Sequence, residues 1–245
     1  MISKTKLSAL VKEFRSKEVD QALAESPDLL SLRDDRGRNW LHVCCGVNPK
    51  RAKLSSQDSV KTAEVLLRRG LDINREAFCE GDWKATPLWF AIARGENLVL
   101  AEFLLERGSN PNYCLWAASF VENIEAIRLL VRHGANVNDP SGEEPPFLFA
   151  IKWSHFKSAE ELLKVGADVN CQDSTGMTAL HYMLKKSSDQ KYFAMLLAHG
   201  ARGDIKNKDG VTAAELMRKK RDPQFQKMAD QLQEKNNRLR GERQG

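Results

Sequence analysis

Apolar residues recur along this chain at helical spacing, in short bursts, five of which end at a glycine. Near the start, Leu7, Leu10, Val11 and Phe14, then Val19, Ala22 and Leu23, fall three or four residues apart. That spacing predicts two amphipathic helices broken near Ser26-Pro27. Further on, an apolar run closes five times on two large aliphatics, two residues and a glycine: Leu66-Leu67 before Gly70, Leu104-Leu105 before Gly108, Leu130-Val131 before Gly134, Leu162-Leu163 before Gly166, and Leu196-Leu197 before Gly200. A glycine just past a helical stripe supplies the left-handed residue that ends a helix. A last amphipathic stretch, opened by Asp222-Pro223, carries Phe225, Met228, Ala229 and Leu232 on one face.

The five glycines lie 38, 26, 32 and 34 residues apart. Four of them lead into a near-constant phrase: Leu71-Asp72-Ile73-Asn74, Ser109-Asn110-Pro111-Asn112, Ala135-Asn136-Val137-Asn138 and Ala167-Asp168-Val169-Asn170. Its Asp and Asn residues favour turns. Upstream of the glycines stands a second phrase, clearest in Thr86-Pro87-Leu88-Trp89-Phe90-Ala91 and Thr178-Ala179-Leu180-His181-Tyr182-Met183. Thr is a good N-cap and Pro is tolerated at the first helical position, so each copy opens a helix. Weaker copies begin at Asn39, Pro145 and Thr212.

A Thr-Pro-Leu-His-x-Ala phrase followed about twenty residues later by Leu-Leu-x-x-Gly-Ala-Asp-Val-Asn resembles the ankyrin repeat, whose period is about 33 residues. The resemblance runs over roughly residues 33 to 220, since the first and last copies fall there. It implies an all-α ankyrin-repeat solenoid of about five to six repeats, with stacked helix-turn-helix units joined by β-turn fingers. Fingers and first helices would together line a concave face. The expected organisation is an N-terminal helical cap over 1–32, repeats near 33–74, 80–112, 113–138, 139–170, 171–204 and 205–220, and a C-terminal capping helix with a frayed basic tail over 221–245. End caps are needed because an open terminal repeat exposes its core side.

Two departures from the repeat stand out. Gly46 to Ser59 is polar and broken, which predicts an exposed loop ahead of a second helix near Thr62. In the third repeat Asn112 runs directly into Tyr113-Cys114-Leu115-Trp116, leaving no residues for a finger.

Composition narrows the function. Of 245 residues, 42% are hydrophobic and 29% charged, an ordinary globular balance. No stretch reads as a secretory signal or a membrane span. Five cysteines without a C-x-x-C pair predict neither a disulfide framework nor a zinc ribbon, so a reducing, cytoplasmic location is expected. The sequence has no glycine-rich phosphate loop, H-E-x-x-H or G-x-S-x-G, and no cofactor, metal site or catalytic residue is assigned. His42 and His181 occupy the repeat's Leu-His slot, where the resemblance implies a hydrogen-bonding, structural imidazole. Cys44 falls where the ankyrin repeat has Ala and is expected to pack as a small hydrophobe rather than serve as a nucleophile.

The repeat register instead points to binding, with another protein as the partner and no membrane involved. Side chains at finger tips and at the C-terminal ends of first helices would face a partner: Trp83, Lys84, Arg94, Phe120, Val121, Lys152 and Trp153. Exposed aromatics and arginine are the usual anchors of protein interfaces; the alternative for Phe120 and Trp153 is that they fill core between repeats. Toward the C-terminus the same positions become basic, at Lys185, Lys186, Lys206 and Lys208. From Ala201 onward 12 Lys and Arg face 7 Asp and Glu, which accounts for the whole formal charge of +5. That end would attract an acidic segment of the partner or, as a second reading, nucleic acid or another polyanion.

Overall fold

The structure, a computed structural model, describes residues 2–80, 83–139, 144–186 and 188–241. It contains two compact units, Met1–Val121 with Arg132–Ala135, and Glu122–Val131 with Asn136–Gly245.

In the first unit, α1 (Lys4–Lys12) and α2 (Ser16–Glu25) are followed by a 3-10 turn (Pro27–Ser31) and then by α3 (Trp40–Cys45), α4 (Pro49–Ala52) and α5 (Ser56–Arg68). A short antiparallel hairpin, β1 (Ala77–Glu80) and β2 (Trp83–Ala85), leads into α6 (Pro87–Ala93), α7 (Leu98–Glu106) and α8 (Cys114–Phe120). First helices stack on first helices, α3 on α6 and α6 on α8, while α2, α5 and α7 form the second row. The second unit is built from α9 (Ile124–Arg132), α10 (Pro146–Lys152), α11 (Phe156–Lys164), α12 (Ala179–Lys185), α13 (Gln190–Ala198), α14 (Ala213–Arg218) and α15 (Pro223–Gly241). There α10 stacks on α12 and α12 on α14. Leu88, Leu148 and Leu180, each next to the start of a first helix, are buried, as are Leu66, Leu104, Leu130, Leu162 and Leu196 in the second helices. A helix of this length is marginal alone, so stacking of apolar faces supplies the stability.

Local chemistry sets the boundaries. The Thr86 hydroxyl accepts from the Trp89 amide and that of Thr212 from the Glu215 amide. All five repeat-ending glycines sit at positive φ, from +86° at Gly134 to +101° at Gly166, a region L-residues visit only with strain. In three places a single asparagine side chain then ties one turn to the next. Asn74 donates to the Gly108 carbonyl and accepts from the Asn110 amide. Asn138 does the same with Gly166 and Asp168, and Asn170 with Gly200 and Arg202.

Three local features differ from, or sharpen, the sequence reading. The Gly46–Ser59 segment is not an open loop: Asn48 and Ser55 cap two new helix starts, so α4 forms a single turn and α5 begins at Ser56. Ser59 and Asn97 are buried there and satisfy each other through an Asn97 Nδ2 to Ser59 Oγ bond of 2.8 Å. In the short repeat, Tyr113 takes a left-handed conformation (φ +67°) directly before α8, and no finger intervenes. Finally, α15 continues through Gly241, so the chain is helical beyond Glu234, where fraying is expected from sequence. Its Leu232 closes over Gly203 and Ala214: a Cβ on Gly203 would lie 2.8 Å from Leu232 Cδ1.

Candidate protein-binding surfaces

The first helices are seven residues or fewer, so each presents one residue at its C-terminal corner. That corner is Gly46 after α3, Arg94 after α6, Val121 after α8, Trp153 after α10, Lys186 after α12 and Lys219 after α14. The turn to the second helix begins there.

On the first unit, Arg94 is exposed and Val121 half-buried. Phe120 is 50% exposed and stacks on Trp116 with ring centroids 5.8 Å apart. It is therefore a surface residue, whereas Trp89, in the Leu-His slot, is core at 6%. Trp83 and Lys84 contribute the backbone of β2; their side chains lie outside the described residues.

On the second unit, Trp153 is 60% exposed with one face toward Phe149. Lys185, Lys186, Lys206 and Lys208 are all exposed. Lys186 reaches back across the stacked helices, its Nζ donating to the Lys152 carbonyl, which sets a cation beside Trp153. Lys152, expected from sequence to face a partner, is engaged by neighbours within the fold. It is half-buried, its ammonium lies 2.8 Å from Glu144 and 3.9 Å from Asp173, and it sits over the Tyr182 ring. These groups cluster because Tyr182 donates to Asp173 at the same place. Lys206 and Lys208 lie on a finger whose backbone pairs with Thr212 and Thr175. Neighbouring carboxylates dilute their field: Asp204 pairs with Arg202, while Asp209 and Glu215 are exposed close by.

The histidines in the Leu-His slot close their own helices. Nδ1 of His42 accepts from the Asn39 amide and that of His181 from the Thr178 amide, and the other ring nitrogen of His181 lies 3.2 Å from the Val211 carbonyl. Burial holds both imidazoles neutral, with the His42 pKa pushed down to about 4. Cys44 is fully buried, its thiol pushed up to about 12 by desolvation and directed at the Ser59 carbonyl. Among the described residues there is no His, Cys, Asp or Glu group placed to hold a metal, and no helix long and apolar enough to cross a membrane.

One concentration of charge escaped the sequence reading. In the first unit a cleft of about 420 Å³ is ringed by Lys4, Lys12, Arg33, Arg36, Arg38 and Arg94. These cations are spread over ninety residues of chain, and no local charge run signals them.

Comparison with known proteins agrees with this architecture. The family model described as ankyrin repeats (3 copies) matches residues 88–173 and 114–209. The human Arf-GAP with coiled-coil, ANK repeat and PH domain-containing protein 2 is 29% identical over 133 residues, 53% of this chain and 17% of that protein. The chain thus corresponds to only about a sixth of that relative's length. Among solved structures, the human ASB11 ankyrin repeat domain aligns with a TM-score of 0.65 at 21% identity, over 86% of this chain and 90% of that one. The Bcl-3 ankyrin repeat domain aligns at 0.66 and 18% identity, over 86% and 92%. Ankyrin repeats generally serve as protein-interaction scaffolds. With glycine-closed helix pairs, asparagine-tied fingers and these matches in agreement, the chain belongs to the ankyrin-repeat family.

Proposed function

We propose that the chain is a non-catalytic scaffold that binds another protein, and that its second unit contacts the partner through Trp153 flanked by Lys185 and Lys186. The exposure of Trp153 carries this reading. A tryptophan left 60% open at a helix corner contributes little to its own fold, yet offers a large rigid surface to a partner at small entropic cost. Lys186 at its edge supports an acidic group on the partner close to the indole. Phe120, Val121, Arg94 and the finger residues Trp83 and Lys84 form the corresponding contact area proposed on the first unit, and Lys206 and Lys208 steer acidic segments toward the second. Unpaired thiols at Cys44, Cys45, Cys114 and Cys171 fit a reducing compartment such as the cytoplasm.

Affinity capture followed by mass spectrometry identifies the partner, and calorimetry with Trp153→Ala tests the site. Loss of at least tenfold in affinity, with an unchanged circular dichroism melt, is the expected result. Equal affinity of wild type and variant removes Trp153 from the interface. Polyanion association through the C-terminal end is the weaker reading, because Asp204, Asp209, Glu215 and Asp222 interleave with the basic residues.

A further inference from the structure

The cleft in the first unit has a composition that the repeat fold does not require. Its floor is apolar, formed by Val43, Val47 and Phe78, the last of these 45% exposed. Among the described residues, its lining carries six cations, of which Arg36 and Arg38 are engaged elsewhere, and one carboxylate, Asp34. That carboxylate is already spent: Arg38 Nε lies 2.6 Å from Asp34 Oδ2, and the Arg36 and Arg38 amides both donate to its other oxygen. Lys12 is exposed on the last turn of α1 and Arg94 at the corner of α6. Arg33 is held by the backbone carbonyls of Leu30 and Leu32, and the Lys4 ammonium reaches the carbonyl of Arg33, so among the described residues these charges are positioned by backbone oxygens rather than by carboxylates.

We propose that this cleft docks an acidic peptide segment of a protein partner, seating one apolar side chain against Val43, Val47 and Phe78 while Lys4, Lys12, Arg33 and Arg94 pair with flanking carboxylates. Charge complementarity selects the occupant. Guanidinium forks match carboxylates in two-point geometry, and the volume lies within the range of sites that enclose a ligand group. A bare phosphate would leave the apolar floor unused. Single-stranded nucleic acid would need a row of open rings for successive bases, whereas Trp40 and Phe90 in this cleft are buried and only Phe78 is open. The site goes beyond the Trp153 surface and does not depend on it.

Fluorescence anisotropy with the full chain tests the assignment, using a fluorescein-labelled peptide in which four glutamates flank a central leucine. Binding with a Kd on the order of 10 μM is expected at low salt, weakening steeply as salt rises. Lys12→Glu combined with Arg94→Glu should lower affinity at least tenfold while leaving the thermal melt in place, because both side chains are exposed. Trp153→Ala should leave peptide affinity within twofold, which separates failure of this site from failure of the Trp153 interface. The proposal is overturned by no binding at ~10-fold higher concentration, by equal binding of the Lys12/Arg94 variant, or by equal binding of a peptide with glutamine in place of glutamate. Tighter binding of a single-stranded oligonucleotide through the same two residues would also reject the peptide as its ligand.

Discussion

The asparagines at positions 74, 138 and 170, each four residues past a repeat-ending glycine, offer a direct test of what joins one repeat to the next. Asn138 Nδ2 donates to the Gly166 carbonyl at 3.2 Å, and its Oδ1 accepts from the Asp168 amide at 2.8 Å. Asn138→Ala removes both bonds. A neutral hydrogen bond contributes about 0.5–1.5 kcal/mol net, so two are worth about 1–3 kcal/mol. Asn138 is exposed and water can solvate the freed groups, which places the expected loss near the lower end, about 1–1.5 kcal/mol. With a urea m-value of about 2–3 kcal/mol/M, the midpoint should fall by roughly 0.5 M at constant slope. Asn138→Asp should be at least as damaging, because it exchanges the donor toward Gly166 for a negative charge that faces a carbonyl and lies close to Asp168. Asn170→Ala should match Asn138→Ala, since Asn170 makes the same pair of bonds to Gly200 and Arg202. An Asn138→Ala shift of less than about 0.1 M, or a neutral Asn138→Asp, would refute a stabilising role for these two bonds.

Three further outcomes are expected. Gly166→Ala meets no neighbouring atom and pays only for its φ of +101°, about 1–2 kcal/mol, whereas Gly176→Ala also drives its Cβ to 2.9 Å from the Lys208 amide nitrogen and should cost more; paired urea melts rank the two. His42 has a pKa depressed from 6.5 to about 4 by burial, so its contribution is complete above pH 6.5 and is lost as pH falls from 6.5 toward 4. The loss is on the order of 3 kcal/mol, and melts of His42→Gln against wild type should show a shallower slope in that window. Glu161 is held below its usual carboxylate range chiefly by its hydrogen bond with Arg128, 2.6 Å away. Its contribution is present above about pH 4.5 and fades as pH drops through its lowered pKa; Arg128→Ala should lower the melting temperature at pH 7 and narrow the gap to wild type in acid.

What could be read from the sequence is what local stereochemistry requires. A helix must end, and at Gly70, Gly108, Gly134, Gly166 and Gly200 the left-handed residue that ends it leaves a visible glycine. Buried leucines at helical spacing, and the Thr and Asn caps, are legible for the same reason. The Leu-His slot likewise announced structural histidines, and Phe120 and Trp153 could be placed at helix corners, though whether they pack inside or face outward could not be read from spacing. The helix starts at Asn48 and Ser55 were hidden in a polar stretch because Ser59 gains a buried partner only when Asn97 reaches it from the next repeat. The gathering of Lys4, Lys12, Arg33 and Arg94 around one cleft likewise depends on chain segments tens of residues apart. Backbone conformation is chosen by neighbours along the chain, and charge environment by neighbours in space. The repeat was therefore present in the sequence, and its candidate binding surfaces took form only when the helices stacked.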